Sequence, residues 1–296
     1  MKIYGVDFSS SPNKKKPIVV ANGFLEKKQY SQTEKKFLIV ENFKYLENLF
    51  DFEVFLKSSG PWFAGFDLPF SMPVELVESN KWPKIWNEFI NFYCRQSREY
   101  LRSMFVNWCN ERPLGNKFAW RKTDKCAGSS PAMRWTNPPV AWMMHAGMKI
   151  MIRKNLYFPA HNFPVHLNRI ATDFNNFIEK NVHFKHKLAF ESYPGFVAKK
   201  IVKKSYKSDN LKKNTQERFD NREKIIKDLV QANLKPDLSL VCSKGIYDMA
   251  INDHRGDILD SMICAFQVAD SLFKKNFGLN HNYNSFEGWI ISVPPN

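Results

Sequence analysis

Five acidic residues are placed where they could act together in catalysis. Asp7, Asp67 and Glu191 each follow a short apolar run, while Asp257 and Asp260 stand one helical turn apart. Converging carboxylates can hold Mg²⁺ or Mn²⁺, and two such ions can stabilise the attacking water and the leaving oxygen of a phosphodiester. The acids therefore predict a two-metal site. Asp257 and Asp260 also have a simpler explanation, because acids in a first helical turn complement the helix dipole.

The two aspartates near the end of the chain belong to the strongest helical pattern. Apolar residues recur every three and four positions through residues 254–273, and Asp257 and Asp260 fall on the opposite, polar stripe. We expect an amphipathic helix with its apolar stripe on a sheet.

Three apolar segments predict the strands that position the other acids. Residues 2–8 contain Asp7, residues 62–66 precede Asp67, and residues 188–193 contain Glu191. An acid at the carboxyl end of a buried strand lies in the crevice where open α/β sheets bind ligands. Residues 17–25 and 36–40 read as two further strands, which would form a meander with the first.

Helical periodicity and the tail complete the expected elements. Predicted helices cover residues 43–57, 82–110, 141–153, 164–179 and 214–233. Residues 287–294 are predicted to add a last strand or hairpin arm.

The charge balance favours an acidic partner. Lys and Arg number 44 against 29 Asp and Glu, a formal charge of +15, which suits nucleic acid or an anionic membrane surface. No apolar run is long enough for a membrane span, and MKIYGVDFSS holds no signal-peptide apolar block, so we expect a cytoplasmic protein. The five cysteines form no CxxC pair, and so indicate neither a disulfide framework nor a zinc site.

Two segments could contact nucleic acid. Between residues 76 and 184 the composition shifts towards Trp, Phe, Met and Arg. One loop there interleaves aromatic rings and cations that could stack bases and bind phosphates, namely Trp120, Arg121, Lys122, Arg134 and Trp135. An ordinary helical subdomain with snorkelling arginines has the same composition. Residues 199–213 are rich in lysine and are predicted to be mobile or to face substrate.

Short motifs in a fixed order resemble a known family. They are GVDFSSSP at residues 5–12, GFDLPFSMP at 65–73, ESYPG at 191–195, HRGDILDSMICA at 254–265 and, weakly, EGWIISVP at 287–294. Their order and spacing resemble the ribonuclease H-like fold, and the motifs are similar to those of the domain of unknown function 429 family of predicted RNase H-like nucleases. HRGDILD also resembles the final acidic helix of RuvC-type resolvases.

The resemblance implies an α/β fold with a ribonuclease H-like mixed sheet flanked by helices and a large, mostly helical insertion. Residues 1–75 and 185–275 would form the core, 76–184 the insertion and 276–296 a C-terminal tail. The implied activity is metal-dependent cleavage of nucleic acid with Mg²⁺ or Mn²⁺.

The resemblance also implies roles for single residues. Asp7 would bridge two ions, Asp67 and Asp260 would hold one each, and Asp257 or Glu191 would complete the ligands. His254 could orient a water or the phosphate, and Ser9 could donate a hydrogen bond to a phosphate. Both also have structural explanations, as a helix-start histidine and a turn serine.

Two other functions remain compatible with the sequence. One is a non-catalytic nucleic-acid-binding protein of the same fold, whose acids are structural. The other is an ATPase of the actin-like or sugar-kinase type, which needs glycine-rich phosphate loops. Asp7 is followed by Phe-Ser-Ser-Ser rather than by glycines, which makes the ATPase the weaker alternative.

Overall fold

Seven strands form one mixed sheet in the computed structural model, which describes residues 1–30, 33–161, 163, 185–279 and 282–294. In chain order the strands are β1 (Lys2–Asp7), β2 (Ile18–Tyr30), β3 (Thr33–Leu46), β4 (Trp62–Phe66), β5 (Leu156–Tyr157), β6 (Lys187–Glu191) and β7 (Leu238–Cys242). Their spatial order is β5-β6-β4-β1-β2-β3-β7. The predicted α/β class with a mixed sheet is confirmed.

Strand direction explains why the acids meet. β1, β2 and β3 form an antiparallel meander, as predicted. β4 runs parallel to β1, and β6 runs parallel to β4. The carboxyl ends of β1, β4 and β6 therefore share one edge of the sheet, which carries Asp7, Asp67 and Glu191.

Helices cover both faces of the sheet. In chain order they are α1 (Leu49–Leu56), α2 (Val74–Ser79), α3 (Trp86–Arg95), α4 (Arg98–Asn110), α5 (Lys122–Ala127), α6 (Val140–Met151), α7 (Pro194–Ile201), α8 (Gln216–Val230), α9 (Lys244–Asn252) and α10 (Asp257–Leu272). Two hydrophobic clusters result, one on each face. Ile3 belongs to one cluster and Val6 to the other, since strand side chains alternate in direction.

Several predicted boundaries are wrong. The predicted helix at 43–57 begins only at Leu49, because residues 43–46 extend β3 and the Asn48 side chain caps α1. The predicted helix at 82–110 is two helices, because Gln96 has an extended backbone and the Ser97 hydroxyl accepts from Tyr100 N at the start of α4. The predicted helix at 164–179 lies outside the described residues.

The α10 helix packs very closely on β1. A Cβ atom on Gly5 would stand 1.9 Å from the Ser261 carbonyl oxygen and 2.3 Å from Ala265 N, so only glycine permits this approach. The polar stripe of α10 is not exposed to solvent. Asp257, Asp260 and Gln267 are all buried. Gln267 Nε2 donates to Ile291 O of the segment 287–294 at 3.2 Å, whereas Tyr206 and Lys207 contact Asp260.

The predicted last strand at residues 287–294 does not form. The segment is a series of turns, anchored by the buried Trp289 and by Ile291 N, which donates to Glu191 O at 3.0 Å. All five cysteines are free. Among the described residues, no helix combines the length and apolar character needed to cross a bilayer.

Candidate active site

A cavity of about 720 Å³ opens at the edge where β1, β4 and β6 end. Its acidic lining includes Asp7, Asp67 and Glu191 at the strand ends and Asp257 in the first turn of α10, together with Asp124 and Asp209. Cationic side chains line the same cavity, namely Lys16, Arg121, Lys199, Lys203, Lys204, Lys207 and Arg255. Acidic and basic side chains thus line the same cavity.

Asp7 and Asp67 have open carboxylates. Asp7 is the last residue of β1, and Asp67 N donates to Val6 O at 2.9 Å, which extends the β1–β4 pairing by one residue. No hydrogen bond from any described residue reaches either carboxylate. Both are therefore available to a ligand that enters the cavity.

Asp257 is more deeply placed and is held by the turn before α10. Gly256 adopts a left-handed conformation (φ 74°), and Asp253 Oδ2 accepts from Ile258 N at 2.9 Å. Asp257 is only 7 % exposed, yet its Oδ2 accepts no hydrogen bond. Arg255 Nε stands 3.4 Å from that oxygen. This nearly buried oxygen thus accepts no hydrogen bond but forms an ion pair with Arg255.

Asp260 lies below the cavity and is fully buried. Tyr206 donates its hydroxyl to Oδ1 at 2.6 Å, and Lys207 Nζ donates to Oδ2. Both oxygens of this carboxylate are therefore already engaged.

The pKa values of the acids reflect burial and mutual repulsion. Burial, with the charges of Asp257 and Asp260, raises the pKa of Asp7 well above its ordinary value. Burial raises the pKa of Asp67 to about 7, and the nearby charges of Asp260 and Glu191 add to this while Lys207 opposes it. Burial, with the charge of Asp253, raises the pKa of Asp257 to about 6. Each carboxylate therefore makes ionisation of its neighbours harder.

The raised pKa of Asp67 predicts that Asp67→Asn stabilises the metal-free protein at alkaline pH. The folded state holds the Asp67 proton up to pH of about 7, whereas the unfolded chain loses it near pH 3.9. The free energy of unfolding therefore falls as pH rises between these values, and the variant escapes that loss. After a discount for partial exposure, we expect a gain on the order of 2 kcal/mol at pH 8 and almost none at pH 4, measured by urea denaturation in EDTA.

Asp209→Asn is the matched control. Asp209 lines the same cavity, but a hydrogen bond from Lys16 lowers its pKa, so this substitution should not stabilise the protein at pH 8. Equal stabilisation by both substitutions would mean that overall charge, rather than the Asp67 environment, is responsible.

The carboxylate oxygens of the cavity suit a hard divalent cation, but they do not surround it completely. Carboxylate oxygens are the ligands that Mg²⁺ and Mn²⁺ prefer. Among the described residues, no three His, Cys, Asp or Glu side chains stand close enough to enclose an ion. Mg²⁺ commonly takes one or two carboxylates and completes its shell with waters and substrate phosphate. The open carboxylates of Asp7 and Asp67 fit that mode, with Asp257 beside them, whereas Asp260 has no free oxygen to offer.

Glu191 and Arg121 are engaged with each other. The Arg121 guanidinium, 1 % exposed, contacts both Glu191 oxygens at 2.5 and 2.8 Å and both Asp124 oxygens at 2.7 and 3.1 Å. Phe70 N also donates to Glu191. Arg121 was predicted to bind nucleic acid, but in this structure its donors are engaged by Glu191, Asp124 and the Glu287 carbonyl, which leaves none directed at a phosphate. For the same reason Glu191 is not an open metal ligand in this geometry.

The other four residues of the predicted nucleic-acid platform lie away from the cavity. Trp120 and Lys122 are exposed. Trp135 stacks on Phe105 and also packs on Phe118. The guanidinium of Arg134 lies 6.0 Å from the Phe118 ring. Trp135 therefore serves packing, and the platform does not form part of the acidic site.

Ser9 and His254, which were predicted to assist at the site, have different surroundings. Ser9 lines the cavity, consistent with a donor to a bound phosphate. His254 Nδ1 instead lies 2.9 Å from Ser208 O, and Ser208 N donates to His254 O at 2.9 Å. His254 thus anchors residues 203–209, here named the lysine segment.

Sequence reasoning missed the two residues that contact Asp260. Tyr206 and Lys207 belong to the lysine-rich stretch that was predicted to be mobile or substrate-facing. The high lysine content of this stretch indicated that it could contribute to the site. The sequence did not show that one of these lysines contacts an acid of α10.

Comparison of the chain with protein-family models, curated proteins and solved structures gives no match.

Proposed function

We propose that this chain is a metal-dependent nuclease of ribonuclease H-like fold that hydrolyses phosphodiester bonds of nucleic acid. The observation that carries the proposal is the meeting of Asp7, Asp67 and Asp257 in one cavity whose walls are rich in lysine. Open carboxylates suit a divalent cation, and the lysines suit the phosphates of a polyanion.

The order of elements supports the same proposal. An acid on β1, an antiparallel meander, an acid after β4, an acid on β6 and two acids on α10 follow each other as in the resemblance described above. β1 is central in the sheet, so Asp7 has acids from β4 and α10 on either side.

Asp7 and Asp67 would hold the cation, and Asp257 would contact it directly or through water. A bound divalent ion supplies a more acidic water as nucleophile and charge stabilisation for the phosphate. The chain's own lysines have a separate task. Lys203 and Lys207 reduce the repulsion between the acidic floor and an incoming phosphate, and the depth of the cavity orients the scissile bond.

The decisive experiment is a cleavage assay with several substrates. Labelled single-stranded, duplex, hybrid and branched nucleic acids are incubated with the protein in Mg²⁺ or Mn²⁺, with EDTA and Asp7→Asn as negative controls. We expect cleavage of at least one substrate that both controls abolish. No cleavage of any substrate in either metal would contradict the proposal.

One observation favours a second function, that of a non-catalytic nucleic-acid-binding protein. Tyr206 and Lys207 close Asp260 off from the cavity, so the acids could serve to fix the lysine segment. Binding that does not depend on metal, without cleavage, would support this alternative.

Both functions predict that binding of nucleic acid falls with salt and depends on the cavity lysines. Phosphate contacts release counterions, so log K should fall linearly with log salt. Lys203 lines the cavity, and no ion pair to it exists in the described part of the chain. We expect Lys203→Gln to reduce the magnitude of the salt slope by about 1, measured by fluorescence anisotropy on a labelled oligonucleotide.

Lys224→Gln controls for overall charge. Lys224 is exposed on α8 and does not line the cavity, so its loss removes the same charge elsewhere. Equal effects of the two substitutions would place binding outside the cavity.

A further inference from the structure

Lys207 brings a positive charge to the centre of the acidic group. Its Nζ donates to Oδ2 of the fully buried Asp260, and the charges of Asp7 and Asp67 also act on it. The Lys207 side chain is still 41 % exposed and lines the cavity. An ammonium group has three donors, so Lys207 can contact Asp260 and a cavity ligand together.

The position of Lys207 is fixed from several sides. The neighbouring Tyr206 carbonyl accepts from Arg222 NH1 at 2.8 Å, and Arg222 is itself fully buried. On the other side, Ser208 is held by the paired bonds to His254. Gly256 lies so close that a Cβ on it would stand 2.9 Å from Lys207 Cβ. The lysine is therefore built into the site and is not a surface side chain caught by chance.

Asp7, Asp67 and Asp257 differ from Asp260 in one respect. Asp7 and Asp67 accept no hydrogen bond from any described residue, and Asp257, 7 % exposed, has an oxygen that accepts no hydrogen bond. Asp7 and Asp67 are partly buried, and partly or nearly buried carboxylates that accept no hydrogen bond are stabilised by a cation. Asp260 thus has its own ammonium group and no free oxygen. Asp7 and Asp67 are open, and within the described part of the chain Asp257 is paired only with the Arg255 guanidinium, whose Nε lies 3.4 Å from Oδ2.

We propose that the site takes one divalent cation rather than two, and that Lys207 supplies the second positive charge. The ion binds at Asp7 and Asp67 beside Asp257, while Lys207 stays on Asp260 and contacts a non-bridging oxygen of the substrate phosphate. This rests on the proposed function, because it concerns the same site and the same reaction. It replaces the two-ion arrangement that the sequence predicts.

Energetics favour keeping Lys207 in place. A second ion at Asp260 would have to displace both the ammonium group and the Tyr206 hydroxyl. Asp260 is fully buried, and breaking a buried ion pair is strongly unfavourable unless the new partner compensates fully. Removal of Lys207 removes that barrier and leaves a buried carboxylate in need of a cation.

The test is the number of Mn²⁺ ions bound per chain, counted by calorimetry and by the EPR signal of free Mn²⁺ during titration with MnCl₂. We expect one ion in the wild type and two in Lys207→Met. Lys203→Met is the matched control, because Lys203 lies on the same segment and lines the same cavity. It should still bind one ion.

Each other outcome counts against the proposal. Two ions in the wild type would overturn it and leave metal-dependent cleavage intact, and this count requires no variant to fold. One ion in both the wild type and Lys207→Met, or a second ion in Lys203→Met, would also overturn it. No ion in the wild type would overturn both this proposal and the metal-dependent function.

Discussion

Asp7→Asn is expected to lower metal-dependent cleavage by about 10²–10³-fold or more. Asp7 is central among the acids, since the charges of Asp257, Asp260 and Asp67 all act on it. An amide at this position removes a ligand charge from a cation that must stabilise the transition state. Single-turnover cleavage of the best substrate, measured at saturating Mg²⁺, gives the ratio of the two rates.

A loss of cleavage in Asp7→Asn could come from unfolding or from weaker metal binding, and these two causes must be distinguished. Because burial and like charges oppose ionisation of Asp7, Asp7→Asn should be as stable as the wild type in EDTA, or more so. Nucleic-acid affinity in EDTA should be nearly unchanged, because the lysines remain. Asp209→Asn makes the same chemical change in the same cavity at an exposed position and should cleave almost normally. A destabilised Asp7→Asn that still cleaved would show that Asp7 serves the fold alone.

The placement of the acids was predictable because it depends on local pattern. Apolar runs of five to seven residues identified β1, β4 and β6, and parallel strands bring their carboxyl ends to one edge. Periodicity likewise identified α10 and its first-turn aspartates. Apolar runs and helical periodicity are properties of short segments. The rules for connections between strands then leave few possible strand orders.

The partners of the charged residues were not predictable, because they depend on distant segments. Arg121 stands 70 residues before Glu191, and Lys207 stands 53 residues before Asp260. Composition shows how many charges exist but not which of them meet. Arg121 therefore looked like a phosphate ligand until the fold placed Glu191 beside it.

Several short elements were not predicted, among them β7 and α9, because of their length and composition. β7 is the five-residue segment LSLVC, too short to show strand periodicity. α9 contains Gly245 and ends in Asn252, which weakens its helical pattern. The burial of the polar stripe of α10 was not predictable either, since it depends on contacts far away in the sequence, from Ile291 to Gln267 and from Tyr206 and Lys207 to Asp260.

Arg121→Ala is expected to destabilise the protein by about 3–5 kcal/mol. The guanidinium lies between Glu191 and Asp124, all three are at most 3 % exposed, and its removal leaves two carboxylates buried without a counter-charge. The free energy of unfolding is measured by urea denaturation at pH 8, with Lys122→Ala as control. Lys122 is the exposed neighbour, and a surface substitution there should change stability by less than about 0.5 kcal/mol.

The pH dependence of the Arg121→Ala defect identifies its cause. Burial already raises the pKa of Glu191 in the wild type, and Arg121 opposes that rise. Without Arg121 the folded-state pKa of Glu191 rises further above its unfolded value, so protonation favours the folded state and stability recovers as pH falls. The difference between variant and wild type should therefore shrink from pH 8 to pH 5. A deficit that is constant over this range would mean that lost packing around a large buried side chain, rather than uncompensated charge, destabilises the variant. Arg121→Met separates these contributions, because it retains most of the volume and removes all of the charge, and it should show nearly the same pH-dependent loss as Arg121→Ala.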